Sequence, residues 1–156
     1  MLLSGFQEFD AEERLRFATE MVELANGPGG ERLMRPIALH NLAYATWDCG
    51  EEDRARGLNR AATRWALSTG TTMNLGLCLL QAAHFAALDD RPTHAATLLG
   101  AGLAHFGMRV APFQEQKLDE VRDTIASALG QERADELQRI GGATSPEEAA
   151  RLVLDA

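Results

Sequence analysis

The chain has little of what most chemistries need. Cysteine occurs twice in 156 residues, at Cys49 and Cys78. Two thiols make no disulfide scaffold. Both fall on apolar helix faces and are expected to be buried thiols in a reducing cytoplasm. There is no run of five or more Lys and Arg, and 15 basic against 23 acidic residues leave a formal charge of −8. That balance speaks against direct nucleic-acid binding, which needs a basic stripe, and equally against an anionic membrane surface. The most apolar stretch, Met73–Leu88, is too short to span a bilayer and carries Asn74, Gln81 and His84. The opening MLLSGFQEFDAEER has no basic segment ahead of an apolar one, so it is not expected to be a secretory signal. Period-two alternation between hairpin turns is missing as well, so no strand is required.

The signatures of catalysis and of cofactor binding are also missing. Gly27-Pro28-Gly29-Gly30 lacks the Lys-Ser/Thr that a phosphate loop needs, and no G-x-S-x-G, H-E-x-x-H or C-x-x-C occurs. His94 and His105 sit eleven apart on one helix, about 16 Å along its axis, too far to share a metal. His40 and Cys49 are about 13 Å apart on the same rule. No metal and no cofactor is therefore expected, and with no nucleophile, base and orienting group in view the chain does not read as an enzyme. The acidic runs Glu51-Glu52-Asp53 and Asp89-Asp90 stand at helix starts, where capping and the helix dipole account for them.

What is present is helical periodicity, punctuated by glycine and proline. Asp10 and Glu13 form a capping-box pattern ahead of a helix over Asp10–Ala25 with Leu15, Ala18 and Val22 on one face. A second helix is expected from Leu33 or Pro36 to Cys49, closed by Gly50. A third follows to Thr69-Gly70, carrying Ala55, Leu58, Ala62 and Trp65 inward. The apolar helix Thr72–Leu88 leads to Asp89–Gly107, where Asp89 or Asp90 is a cap and Gly100, Ala101 and Gly102 would admit a close neighbour. The tail holds a helix over Phe113–Leu129, a shorter one over Glu132–Ile140 ended by Gly141-Gly142, and a last one introduced by Ser145-Pro146-Glu147-Glu148. The prediction is an all-α chain of about eight helices.

Two segments coincide when the chain is laid over itself. L-x-x-L-A-x-x-T-W-x-x-G-E-x-x-x-A from Leu39 to Ala55 lies over L-L-Q-A-A-x-x-A-x-x-x-D-R-P-x-x-A from Leu79 to Ala95, an offset of 40 residues. Each unit would be a helix, a tight turn, and a helix whose first core position is Ala. With small residues in the first helix (Ala43, Ala83) and Ala55 and Ala95 in the second, the pattern resembles tetratricopeptide repeats. It departs from them in having 40 rather than about 34 residues per unit, and Asp90 where glycine is usual. The longer unit is more similar to the tetratricopeptide-like region of actinobacterial signal-transduction ATPase regulators of the LuxR and SARP type and their cyclase-linked relatives. Asp90–Ala101 (D-R-P-x-x-A-A-x-L-L-G-A), the Gly107–Pro112 connection, the helix Leu118–Gly130 and the capped Ser145–Leu154 carry that likeness, which spans about Arg35 to the end.

The resemblance implies a right-handed stack of antiparallel helix hairpins over residues 10–107, capped by helices over 108–156, in a single domain. Starting on half a unit, the chain is expected to be a fragment of a larger cytoplasmic regulator, unless Leu2–Phe9 supplies an imperfect cap. In such a stack the first helix of each unit lines a concave groove. Ile37, His40, Tyr44, Trp47 and Asp48 would point there, joined by Leu77, Leu80 and His84. These residues would hold a protein or peptide segment, or an aromatic effector. Alternatively Tyr44 and Trp47 fill space between helices, and a closed aromatic pocket around Tyr44, Trp47 and His84 would make a small-molecule receptor. Exposed Leu77, Leu80 or Leu88 would favour a homodimer.

Overall fold

The computed structural model describes residues 9–107 and 112–156, and those residues form eight helices and no strand. They are α1 (Ala11–Asn26), α2 (Met34–Asp48), α3 (Glu52–Thr69), α4 (Thr72–Leu88), α5 (Pro92–Phe106), α6 (Pro112–Leu129), α7 (Gln131–Gly142) and α8 (Pro146–Leu154). Residues 2–8 of the expected N-terminal cap and residues 108–111 of the α5–α6 connection lie outside the described set. Among the described residues no helix is long and apolar enough to cross a membrane.

Both capping boxes form. The Asp10 carboxylate accepts from the Glu13 amide at 2.9 Å while Glu13 accepts from the Asp10 amide at 3.3 Å. Ser145 and Glu148 make the reciprocal pair ahead of Pro146. Each box satisfies two of the amides that a helix start leaves open.

The turns after α2 and α4 have the same hydrogen bonds, 40 residues apart. Gly50 and Glu51 donate to the carbonyls of Trp47 and Thr46, and Asp90 and Arg91 donate to those of Ala87 and Ala86. This pairing requires a left-handed residue, supplied by Gly50 at φ +81° and Asp90 at φ +55°. Asp90 is therefore the terminator of α4 and not a cap of α5, and Asp89 pairs instead with Arg56. Arg91 occupies the α5 cap position without a side-chain cap bond. Glu51 likewise caps nothing with its carboxylate, which meets Arg54 at 3.1 Å. Asx residues serve both roles, and here the backbone of the preceding helix decided between them.

α4 is buried over most of its length, as a helix apolar on all sides must be. It packs most closely with α5, which packs in turn against α7; α8 lies across α3, α4 and α5, and α6 contacts α4, α5 and α7. Leu75, Leu79, Leu98, Leu99, Val121, Ile125, Leu137 and Val153 share one core, while Ala18, Leu42 and Ala45 form a smaller one between α1 and α2. Backbone approach at the α5 faces depends on glycine. A Cβ at Gly100 would overlap the Gln138 carbonyl, one at Gly141 the Thr97 carbonyl, and one at Gly102 the Leu80 side chain. Gly141 and Gly142 consequently stay within α7 instead of ending it at Ile140. Trp65, expected in the core, is half-buried with the Arg35 guanidinium 4.6 Å from its ring. Leu80, expected at the surface, is 5% exposed, whereas Leu88 is 55% exposed.

These contacts set opposite signs for glycine-to-alanine changes. Gly100→Ala and Gly141→Ala force backbones apart and are expected to lower unfolding free energy by at least ~2–3 kcal/mol each. Gly57→Ala, in α3 with open space around it, should raise stability by about 0.5–1 kcal/mol. Urea titrations decide, and similar effects at all three positions would contradict a tight α5–α7 seam.

Candidate functional site

The helix repeat puts His40 and Tyr44 one turn apart on α2, and Leu77, Leu80 and His84 along one stripe of α4. Packing of α2 on α4 brings the two stripes together. His40 meets Tyr44 edge-on at 5.2 Å between ring centroids, and Tyr44 lies 5.8 Å from His84 and 5.9 Å from Phe85. His40, Tyr44, Leu77, Leu80 and His84 line one cavity, and Gln114, Lys117 and Leu118 of α6 close it. The Lys117 ammonium stands 4.6 Å from the Tyr44 ring centroid, a cation–π contact. The remaining space is about 10 Å³, the size of a single water at most. A small-molecule effector would enter here only with movement of α6.

The other expected groove residues lie elsewhere. Ile37 is half-buried and does not line this cavity. Trp47 stacks face to face on Phe85 at 4.2 Å, with Arg56 over its ring at 4.9 Å. Asp48 forms an ion pair with Arg14 of α1 at 3.1 Å.

Burial governs the electrostatics of the site. It pushes His40 and His84 down to about 4, helped by the Lys117 charge, so both rings are neutral at pH 7. Both Nδ1 atoms are buried without a hydrogen-bond partner. Burial also raises Tyr44 above its ordinary range, with Asp48 adding to the effect. Lys117 is lowered by burial, against the pull of Asp48 and Glu120. The result is an aromatic and aliphatic seat for a helix that places one cation, Lys117, against it. Cys78 is held as a thiol, pushed up to about 12 by burial, and is chemically inert. Among the described residues no three His, Cys, Asp or Glu side chains stand together as metal ligands.

Sequence reasoning missed the residues that bind these helices in register. Asn59 of α3 donates to the Gln81 side chain and to the Cys78 carbonyl, both at 2.9 Å, and Gln81 donates to the His40 carbonyl at 2.9 Å. Asn59 and Gln81 are almost fully buried. A lone amide inside an apolar helix was the available signal, and at Gln81 it served only to argue against a membrane span. Lys117 had no local signal at all, since its target lies on helices distant in sequence.

The two histidines predict acid sensitivity. Unfolded, each titrates near 6.5 and folded near 4, so the unfolded chain binds more protons between those values. Stability is therefore complete above pH 6.5 and falls as pH drops toward 4, by up to on the order of 1 kcal/mol per pH unit for each ring. Denaturant midpoints at pH 7, 6 and 5 should show this, and His40→Gln should flatten the slope. An unchanged slope in that variant would mean His40 is not buried neutral.

In the comparisons with known proteins, no family model, curated protein or solved structure matches this chain.

Proposed function

We propose that the chain is a non-enzymatic protein-interaction module, a tetratricopeptide-like right-handed stack of helix hairpins closed by α6–α8. On this reading it is the sensing arm of a cytoplasmic transcriptional regulator of the actinobacterial signal-transduction ATPase kind. Support for the repeat comes from the matched turns at Gly50 and Asp90 and from Ala43, Ala83, Ala55 and Ala95, all fully buried at equivalent positions. Support for the regulator rests on the sequence likeness alone.

One observation carries the interaction reading: the α2/α4 face already receives a helix. α6 lays Lys117 on Tyr44 and Leu118 beside Leu77 and Leu80, which is the helix-in-groove mode of recognition realised within one chain. A partner would present the same features, an amphipathic helix with a cation one residue from an aliphatic anchor, and would take the place of α6. Its apparent affinity is the intrinsic one multiplied by the fraction of chains whose α6 is undocked.

A labelled peptide of residues 112–129 tests this by fluorescence anisotropy. It should bind the intact chain weakly, and Lys117→Ala in the chain, weakening its own α6 by about 1.4 kcal/mol, should raise the apparent affinity about tenfold. Adding Tyr44→Ala should remove the gain. Peptide binding indifferent to both changes would sink the proposal.

A further inference from the structure

A second cavity, of about 90 Å³, lies where α3, α4, α5 and α8 meet. Arg56 and Arg60 of α3, Asp89 after α4, and Arg91 and His94 at the start of α5 line it, with Phe85 as an apolar wall. By the usual yardstick this is room for several waters. Arg56 is committed: its guanidinium meets both Asp89 oxygens, with Nε 3.1 Å from Oδ2. Arg60 and Arg91 are not in any ion pair among the described residues, although the chain carries eight excess negative charges. Two guanidiniums without carboxylates thus converge on one concavity in an acidic protein. His94, in the first turn of α5, a helix of 15 residues that no side chain caps, forms part of the same wall. The helix dipole adds positive potential there. His94 is pushed below its ordinary value by burial and by Arg91, with the backbone of Leu152 acting in the opposite direction. A shallow depression on Asp90, Pro92, Thr93 and Thr97 continues outward, sharing Arg91, His94 and Leu152 with the cavity.

We propose that this cavity binds a phosphate monoester group, gripped by Arg60, Arg91 and the uncapped first turn of α5, with Arg56 held in position by Asp89. Guanidinium forks match the oxygen spacing of a phosphate, and a dianion supplies the charge these two arginines lack. Room for one such group, continued by an open depression, fits an ester whose remainder stays at the surface. The ester is either a phosphorylated side chain of a partner or a free phosphorylated metabolite. This site is separate from the α2/α4/α6 seat, and its test does not depend on that reading.

The test titrates inorganic phosphate into the whole chain at constant ionic strength in chloride, following the thermal midpoint and the ring-proton resonances of His94. The expected result is a saturable rise of a few degrees in the midpoint, with the His94 titration moved to higher pH by the bound anion. Arg60→Gln with Arg91→Gln should abolish both responses. Arg54→Gln, on the same helix but outside the cavity, should preserve them. Cooperative melting of each variant without phosphate shows that it is folded. An equal response in the double variant, or none in the native chain at any phosphate concentration, overturns the proposal. In a second arm, at least tenfold tighter binding of a phosphoserine peptide than of glycerol phosphate assigns the ester to a partner protein. The reverse order assigns it to a metabolite.

Discussion

Backbone contact between α5 and α7, made where Gly100 meets the Gln138 carbonyl and Gly141 meets the Thr97 carbonyl, determines where the C-terminal third of the chain can go. Any larger residue at either position would separate the helices. With α7 pinned there, α6 is held through Gly130, the single residue between them, whose φ of +78° turns the chain sharply. α6 then packs across α5 and α4, and through Lys117 and Leu118 it reaches the stripe of α2 beside α4. Closure of the α2/α4 seat thus follows from glycines that touch none of its aromatic residues. Gly102 adds a direct link, because it accommodates the Leu80 side chain, and Leu80 is a wall of the seat.

The buried amides act on the other side of α4. Apolar packing alone leaves a helix free to rotate or slide by a fraction of a turn at modest cost, since leucine and alanine surfaces are locally alike. The line from Asn59 through Gln81 to the His40 carbonyl removes that freedom. Sliding α4 against α2 or α3 would strand buried donors, at about 1–3 kcal/mol for each. Well-satisfied networks of this kind specify register more than they add stability. Register is what the site needs, because His84 must stand beside Tyr44 and not a turn away.

Much of the helix layout was legible locally. Capping boxes at Asp10 and Ser145, the stops at Gly50 and Gly70, and the extent of α4 from Thr72 to Leu88 depend on neighbours within five residues, and the sequence contains those neighbours. The common face of His40, Tyr44, Leu77, Leu80 and His84 was legible too, because helical spacing sets it. The failures share a different cause. Gly141 resembles a stop signal until α5 is known to lie against it, and Asp90 resembles a cap until α4 is seen to need a left-handed residue. Lys117 looks like an ordinary surface lysine on an amphipathic helix. Each of these depends on which helices meet, and local pattern does not encode that for a chain of similar apolar stripes.

Trp47 is a residue for which helical spacing left two placements open. Expected either to line a groove or to fill space between helices, it lies between Phe85 and the Arg56 guanidinium, and Arg56 in turn is fixed by Asp89 at the wall of the second cavity. Phe85 also lines that cavity while its ring neighbours Tyr44 and His84. The two sites are therefore built on opposite ends of one packed sequence of rings and charges. Adjacency of this sort is not itself coupling, which requires a shared element with two arrangements of different energy. The Trp47–Arg56–Asp89 stack is poorly suited to be one. Its guanidinium is held by a carboxylate at both oxygens and covered by an indole, so a second arrangement would break a charge-assisted pair and expose the ring together. The stack is therefore a rigid partition between the two sites, and binding at one leaves the geometry of the other unchanged.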